Sequence, residues 1–383
     1  MNRIALIRST YSPFGGVERV ALGLARGLLQ KGVRVTLITL PGQPWPLTDK
    51  NLSIAAMGIR RTHRLVQAWS FNRAVTGYLE KHAFDAVVSL DRVARFTHLH
   101  AGGGTHKRFL EIKDSLSTPW ARWLRRLSLF HTYMLHLEKQ GFQNPLLKKV
   151  RCNASLVKAD IQSGYHVPED KLVVIHSGIR WREMAETFAR RQDLGLSLRQ
   201  RHGLDPAWNC LLFLGSGFSR KGLDVALQGL GTMPENYHLV VVGKGSPATY
   251  LRSAERLGLG KRIHFLGPQP QGWRYASFCR ALVLPSHYDP FGGASAEGHA
   301  MGLPVLVSDT TGYADQVVHG CNGIILKTPM TSEIIVDGFR ALLALIEHPA
   351  QTPEQIRKHV RNLDDDIILE RLLGEFLGPA VVH

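Results

Sequence analysis

The run Asp289-Pro290-Phe291-Gly292-Gly293-Ala294-Ser295-Ala296-Glu297-Gly298-His299-Ala300-Met301-Gly302-Leu303-Pro304-Val305 decides the fold. It sets two carboxylates, Asp289 and Glu297, eight positions apart around a Gly-Gly turn. Glu297 is expected to open a helix that closes at Gly302-Leu303-Pro304 before a buried strand at 305–308. Such a unit belongs to a parallel α/β sheet, where ligands gather at the carboxyl ends of strands. The residue types agree with a ligand site. A carboxylate at a helix start accepts paired hydroxyls of a ribose or hexose diol. Gly292 and Gly293, beside Phe291, let a polar ligand approach the backbone, and helix N-terminal amides favour a diphosphate. A lone Glu there is usually a solvated cap residue; the whole pattern is what points to a site.

Working outward, the same alternation recurs on both sides. Strands are expected at 210–214, 239–242, 263–266 and 281–285, with a glycine-rich loop at 215–222 and Gly243-Lys244-Gly245 after a strand. Further towards the amino terminus, a strand at 4–7, a loop Pro13-Phe14-Gly15-Gly16, an amphipathic helix at 17–29 and a strand at 33–39 form a βαβ unit. Strands at 86–89 and 172–175 follow, and an Arg-rich polar stretch at 180–201 reads as the interdomain boundary. The fold class is therefore α/β, with two Rossmann-like, doubly wound parallel sheets facing a cleft. A chain of 383 residues suits two domains. The expected spans are 1–180, 181–355 and a helical segment 356–383 returning towards the first domain.

Composition limits the function. The chain is 44% hydrophobic and 20% charged, as a soluble globular protein is. No run approaches the roughly 18 apolar residues that span a bilayer, and MNRIALIRS lacks the h-region of a secretory signal, so a cytoplasmic or peripheral protein is expected. Four scattered cysteines show no metal or redox spacing. Forty-seven Lys and Arg against 31 Asp and Glu give a net +16, which favours a polyanionic partner: nucleic acid, an anionic membrane or a phosphorylated substrate.

On these motifs the sequence resembles the family 4 retaining glycosyltransferases of the GT-B fold, whose signature pairs two carboxylates eight positions apart before a small-residue helix and Gly-x-Pro. The likeness extends to lipopolysaccharide core glucosyltransferases through Ser12–Arg19, the segment 215–224 and Gly312-Tyr313-Ala314. It implies a nucleotide diphosphate sugar co-substrate bound by the second domain and a lipid-linked saccharide acceptor bound by the first. Glu297 would hold the nucleotide ribose, Asp289 the sugar hydroxyls and Lys221 the diphosphate, with Arg220 beside it. Gly15, Gly16 and Gly243 would offer backbone to the donor or acceptor. It further implies a hexose, glucose from UDP, transferred with retention and without metal or other cofactor; the alternative is another nucleotide sugar, such as GDP-mannose, used for capsule, exopolysaccharide or glycolipid synthesis.

The sequence departs from that pattern at three places. Asp289 stands where the family has Glu. Ser216 stands where many members carry Arg, a charge that Arg180 or Arg182 is expected to supply. Gly103 replaces an Asp, leaving acid/base or acceptor positioning to His98, His100 or His106. Asp364-Asp365-Asp366 is not read as a metal motif.

From 105 to 151 there are ten Lys/Arg and three acids, and Trp120, Trp123, Leu124, Leu127, Phe130, Met134 and Leu137 recur at helical spacing, flanked by Arg122, Arg125 and Arg126. This reads as one interfacial helix on an anionic membrane surface. Two other classes fit worse. A dehydrogenase would need GxGxxG and an acid ending the second strand, where the chain has Thr39-Leu40-Pro41. A nucleic-acid-binding protein would explain the charge but not the carboxylate pair.

Overall fold

The computed structural model describes residues 2–12, 16–59 and 62–377. Two compact units result: residues 1–176 with 366–383, and residues 177–365. In the first, β1 (Arg3–Ile7), β2 (Arg34–Thr39), β3 (Leu52–Ala56), β4 (Ala86–Ser89), β5 (His98–Ala101), β6 (Lys149–Cys152) and β7 (Leu172–Val174) form one parallel sheet in the order β3-β2-β1-β4-β5-β6-β7. In the second, β8 (Asn209–Leu214), β9 (Tyr237–Val242), β10 (Ile263–Gly267), β11 (Cys279–Leu284), β12 (Val305–Ser308) and β13 (Gly323–Leu326) are ordered β10-β9-β8-β11-β12-β13, again all parallel. Each sheet reverses its strand order beside its first strand, between β1 and β4 in one and β8 and β11 in the other, and a ligand crevice is expected at such a point.

The central strands are apolar on both faces because helices cover both. In β8, Leu211, Leu212 and Phe213 are fully buried, as are Leu239, Val240 and Val241 in β9. The first unit's core joins Ile7, Ile38, Phe71, Val75, Val150 and Val157 across the sheet.

The Arg-rich stretch is not a boundary. It forms helices Trp181–Ala189 and Arg191–His202, and the units divide instead at His176/Ser177 and Asp365/Asp366. The second unit holds both crossing segments by backbone pairing: Ile179 N–H donates to Leu363 O and Asp365 N–H to Ile179 O. Arg199 explains why so polar a helix packs, since its guanidinium donates to the carbonyls of Asp205, Trp208 and Phe278. The helix Asp365–Leu377 lays Leu369 and Leu373 on the first unit's helix Gly16–Gln30, at Gly23 and Gly27.

Candidate active site

In the second unit, the loop after β8 and the segment after β11 converge on one carboxylate. Lys221 and Asp289 are both buried, and Lys221 Nζ donates to Asp289 Oδ2. Arg220 Nη1 lies 3.8 Å from the other carboxylate oxygen and donates to Tyr288 O at 2.8 Å. Burial alone would raise the Asp289 carboxyl; the charges of Lys221 and Arg220, the Lys221 hydrogen bond and the Phe291 N–H together hold it below the ordinary carboxylate range. The result is an ionised carboxylate and a lysine fixed against each other at the strand ends.

The backbone around Asp289 is equally constrained. Its N–H donates to Thr310 O at 3.1 Å and its carbonyl accepts from Gly312 N–H at 2.8 Å. Gly292 has φ +86°, and a Cβ there would lie 2.6 Å from Thr311 Cγ2, so no other residue fits the turn without moving it. Phe291 is buried edge-on against Tyr313, ring centroids 5.7 Å apart.

The helix that follows begins at Gly293 and ends at Ala300. Glu297 is thus its fifth residue rather than its opening one, a half-buried carboxylate within the helix. The sequence expectation fails here because the Gly292 left-handed turn, not an acidic cap, starts the helix. Its first-turn amides belong to Gly293, Ala294 and Ser295; the Ser295 N–H already donates to Gly292 O at 2.8 Å.

Gly243 serves packing: a Cβ there would lie 2.1 Å from Gly215 O, so the ends of β8 and β9 approach only because it has none. Arg180 lies over the Trp273 ring at 4.4 Å and pairs with Glu183 at 3.6 Å, so it is engaged with these two groups and not with Asp289. Arg182 is exposed on the helix Trp181–Ala189. Gly15 lies outside the described residues; Gly16 is the exposed first residue of helix Gly16–Gln30.

Three histidines of the first unit, His98, His100 and His106, are expected from the sequence to serve as acid, base or acceptor-positioning groups. His98 and His100 occupy β5 and are buried; His106 is buried at the start of helix His106–Ser115. Burial, then Lys148 and Lys149, lowers His98 to about 4. Burial, then Arg92, lowers His106 to about 4, where its ring meets His131 at 3.1 Å. His100 is held well below 6.5 by burial and by Arg151, whose Nη1 lies 3.1 Å from its ring. In all three, burial favours the neutral ring. Only His100 lines a cavity of about 150 Å³, together with Arg8, Asp91, Phe96 and Gly103. Arg8 bonds Glu18 at 2.8 Å and also Asp91, whose second oxygen accepts from Ser9 N–H. Arg8 and Asp91 escaped the sequence reading, although each lies just past the carboxyl end of a strand, β1 and β4, where that reading should look.

The expected single interfacial helix is two, Pro119–Arg126 and Leu129–Phe142, because Ser128 Oγ caps the second by accepting from His131 N–H. The apolar residues divide accordingly. Leu137 is buried, whereas Trp120 and Trp123 are 67% and 51% exposed and stack with centroids 5.1 Å apart. Arg122 and Arg126 are exposed; Arg125 pairs with Asp114. Among the described residues no helix is long and apolar enough to cross a membrane, and no three His, Cys, Asp or Glu groups are set to hold a metal ion.

Two parallel α/β units, each reversing its strand order beside its first strand, have the architecture of the GT-B fold. The family model described as Glycosyltransferase Family 4 matches residues 14–180, and that described as Glycosyl transferases group 1 matches residues 197–359. The two matches together account for most of the chain, which belongs to these glycosyltransferases. The lipopolysaccharide glucosyltransferase WaaG of Escherichia coli (strain K12) is 23% identical over 349 residues, 89% of each chain. The crystal structure of WaaG, a glycosyltransferase involved in lipopolysaccharide biosynthesis, superposes with a TM-score of 0.77 at 22% identity over 98% of this chain and all of that one. Anabaena Alr3699/HepE in complex with UDP-glucose superposes with a TM-score of 0.66 at 18% identity, over 98% and 99% of the two chains.

Proposed function

We propose that this glycosyltransferase moves glucose from UDP-glucose, with retention and without a metal ion, to a glycolipid acceptor of the lipopolysaccharide-core type. The observation that carries the donor half is the Lys221–Asp289 pair with Arg220 beside it. As the bond from the anomeric carbon to the diphosphate breaks, negative charge grows on the departing oxygen, and Lys221 and Arg220 stabilise it. Asp289, held in place by Lys221, accepts from the sugar hydroxyls. Glu297, from its helix, accepts from the ribose diol. The acceptor oxygen bonds to the anomeric carbon on the face the diphosphate leaves, and its proton passes to the departing phosphate oxygen. The UDP-glucose complex of the Anabaena protein supports the choice of donor, and the WaaG likeness supports the acceptor class. The first unit's cavity, lined by Asp91 and His100 and by Phe96, suits a sugar ring that presents hydroxyls and an apolar face.

Glu297→Ala is expected to weaken UDP-glucose binding roughly 10- to 100-fold, the worth of hydrogen bonds to a charged group. Thermal shift with a panel of UDP, GDP and ADP sugars, beside slow donor hydrolysis, measures it. Recognition of none by the wild type would remove the donor reading; a GDP-sugar response would replace UDP.

The enzyme works on the cytoplasmic face of a membrane, docked through Trp120, Trp123, Leu124 and Leu127 with Arg122 and Arg126 towards anionic lipid; the exposure of these apolar and basic side chains next to one another on one short helix and its end supports this. The Trp120→Ser/Trp123→Ser variant should sediment with phosphatidylglycerol vesicles at least about tenfold less than wild type at low salt. Equal sedimentation would place any membrane contact elsewhere.

A further inference from the structure

A second set of buried polar groups lies behind the donor cluster. Tyr313, His299 and Asn322 are all completely buried. The Tyr313 hydroxyl lies 2.8 Å from His299 Nδ1, and His299 Nε2 lies 2.9 Å from the Asn322 carbonyl. A carbonyl only accepts, so Nε2 carries the proton and Nδ1 accepts from the tyrosine. The same Asn322 carbonyl takes the Val305 N–H at 3.2 Å, tying the chain of bonds to the start of β12. This is a costly arrangement in a core where Leu306, Ala300 and Phe339 are also fully buried, and each polar group in it requires its partner.

Its position gives it a use. His299 is two residues past Glu297 on the helix Gly293–Ala300. Tyr313 follows Gly312, whose N–H holds the Asp289 carbonyl, and its ring takes the edge of Phe291. One hydroxyl therefore stands between the segment that carries Asp289 and the helix that carries Glu297. We propose that Tyr313, acting through His299, is a positioning residue that fixes the separation of the Asp289 and Glu297 carboxylates, and so makes the enzyme bind both ends of a nucleotide sugar together. The inference rests on the donor reading above and adds the element that couples its two ends. Apolar packing alone would let the helix slide against the Gly312–Gln316 turn; the hydrogen bond selects one register.

The test is the ratio of UDP-glucose affinity to UDP affinity, measured by calorimetry on the full-length chain, with kcat and KM for donor hydrolysis. Tyr313→Phe keeps the ring and its contact with Phe291 and removes the hydroxyl. It is expected to fold, to bind UDP within about threefold of wild type, and to lose about five- to tenfold of the extra affinity that the sugar confers. His299→Gln, which can accept from Tyr313 and donate to Asn322, should keep the wild-type ratio, and His299→Leu should lose it. If Tyr313→Phe and His299→Leu melt lower yet keep the wild-type ratio and kcat, the chain of bonds only stabilises the fold and the inference is overturned. If the wild type shows no preference for any nucleotide sugar, the donor reading falls, and this inference with it.

Discussion

Lys221→Met is expected to lower transfer about 10²- to 10³-fold in kcat, the usual consequence of removing one preorganised group that meets developing charge. The same change is expected to destabilise the second unit by about 3–5 kcal/mol, because it leaves a buried carboxylate without its main partner. Asp289 is buried, and once the Lys221 bond is gone only the more distant Arg220 and the Phe291 N–H offset the desolvation that favours its neutral form. Activity and stability then separate in the double variant. Lys221→Met/Asp289→Asn removes both charges and should recover most of the stability while recovering none of the activity. Urea midpoints and donor hydrolysis rates on the single and double variants measure the two quantities. Were the double variant to regain turnover, Lys221 would serve only to neutralise Asp289 and the diphosphate would be met elsewhere.

That pair shows how far the sequence could be read. Lys221 and Asp289 are 68 residues apart, and each was singled out from its local glycine frame; that they bond to one another follows only from the order β8-β11, which puts their strands side by side. The strongly apolar strands, β1, β2, β4, β8, β9 and β11, were legible because parallel strands covered on both faces read as continuous hydrophobic runs. β5 and β6 were not, since His98, His100 and Arg151 interrupt them. They sit buried with partners: Arg151, with no exposed surface, meets His100 and donates to the His176 carbonyl at 2.6 Å, and the His98 ring lies 2.8 Å from Thr97 Oγ1. Polar residues that looked like chemistry are thus partly core. The helix start was misplaced for a related reason. An acidic residue near a predicted helix suggests a cap, but a left-handed glycine can begin a helix without one, and only the backbone reveals it.

The buried histidines make stability depend on pH. His98 and His106 in the first unit, and His238 and His299 in the second, are each lowered to about 4, chiefly by burial. A group whose folded value lies below its unfolded value of about 6.5 takes up its proton first in the unfolded chain. The stability it confers is complete above pH 6.5 and is lost as pH falls towards 4. Each such histidine is worth roughly 3 kcal/mol over the full window, and about 1.4 kcal/mol of that is gone by pH 5.5. These four alone, two per unit, give a loss of about 3 kcal/mol per unit by pH 5.5, or a fall of roughly 5–10 °C in Tm, and His100, also held low by burial, adds to the first unit's share. Asp289 does not account for a loss in this range: held low, it releases its contribution only as pH falls through the ordinary value of 3.8 and below. The window between pH 6.5 and 5 therefore isolates the imidazoles. His238→Phe keeps a flat ring in the stack with Trp208, whose centroid lies 4.1 Å from that of His238, and removes one titrating group. It should reduce the proton uptake on unfolding by close to one at pH 5.5, read from the slope of urea stability against pH. A Tm that stays level from pH 7.5 to 5.5 would mean that these rings reach water or find a proton partner in the folded chain. In that case the same reasoning would make His98, His100 and His106 available as acids, which their burial otherwise denies them.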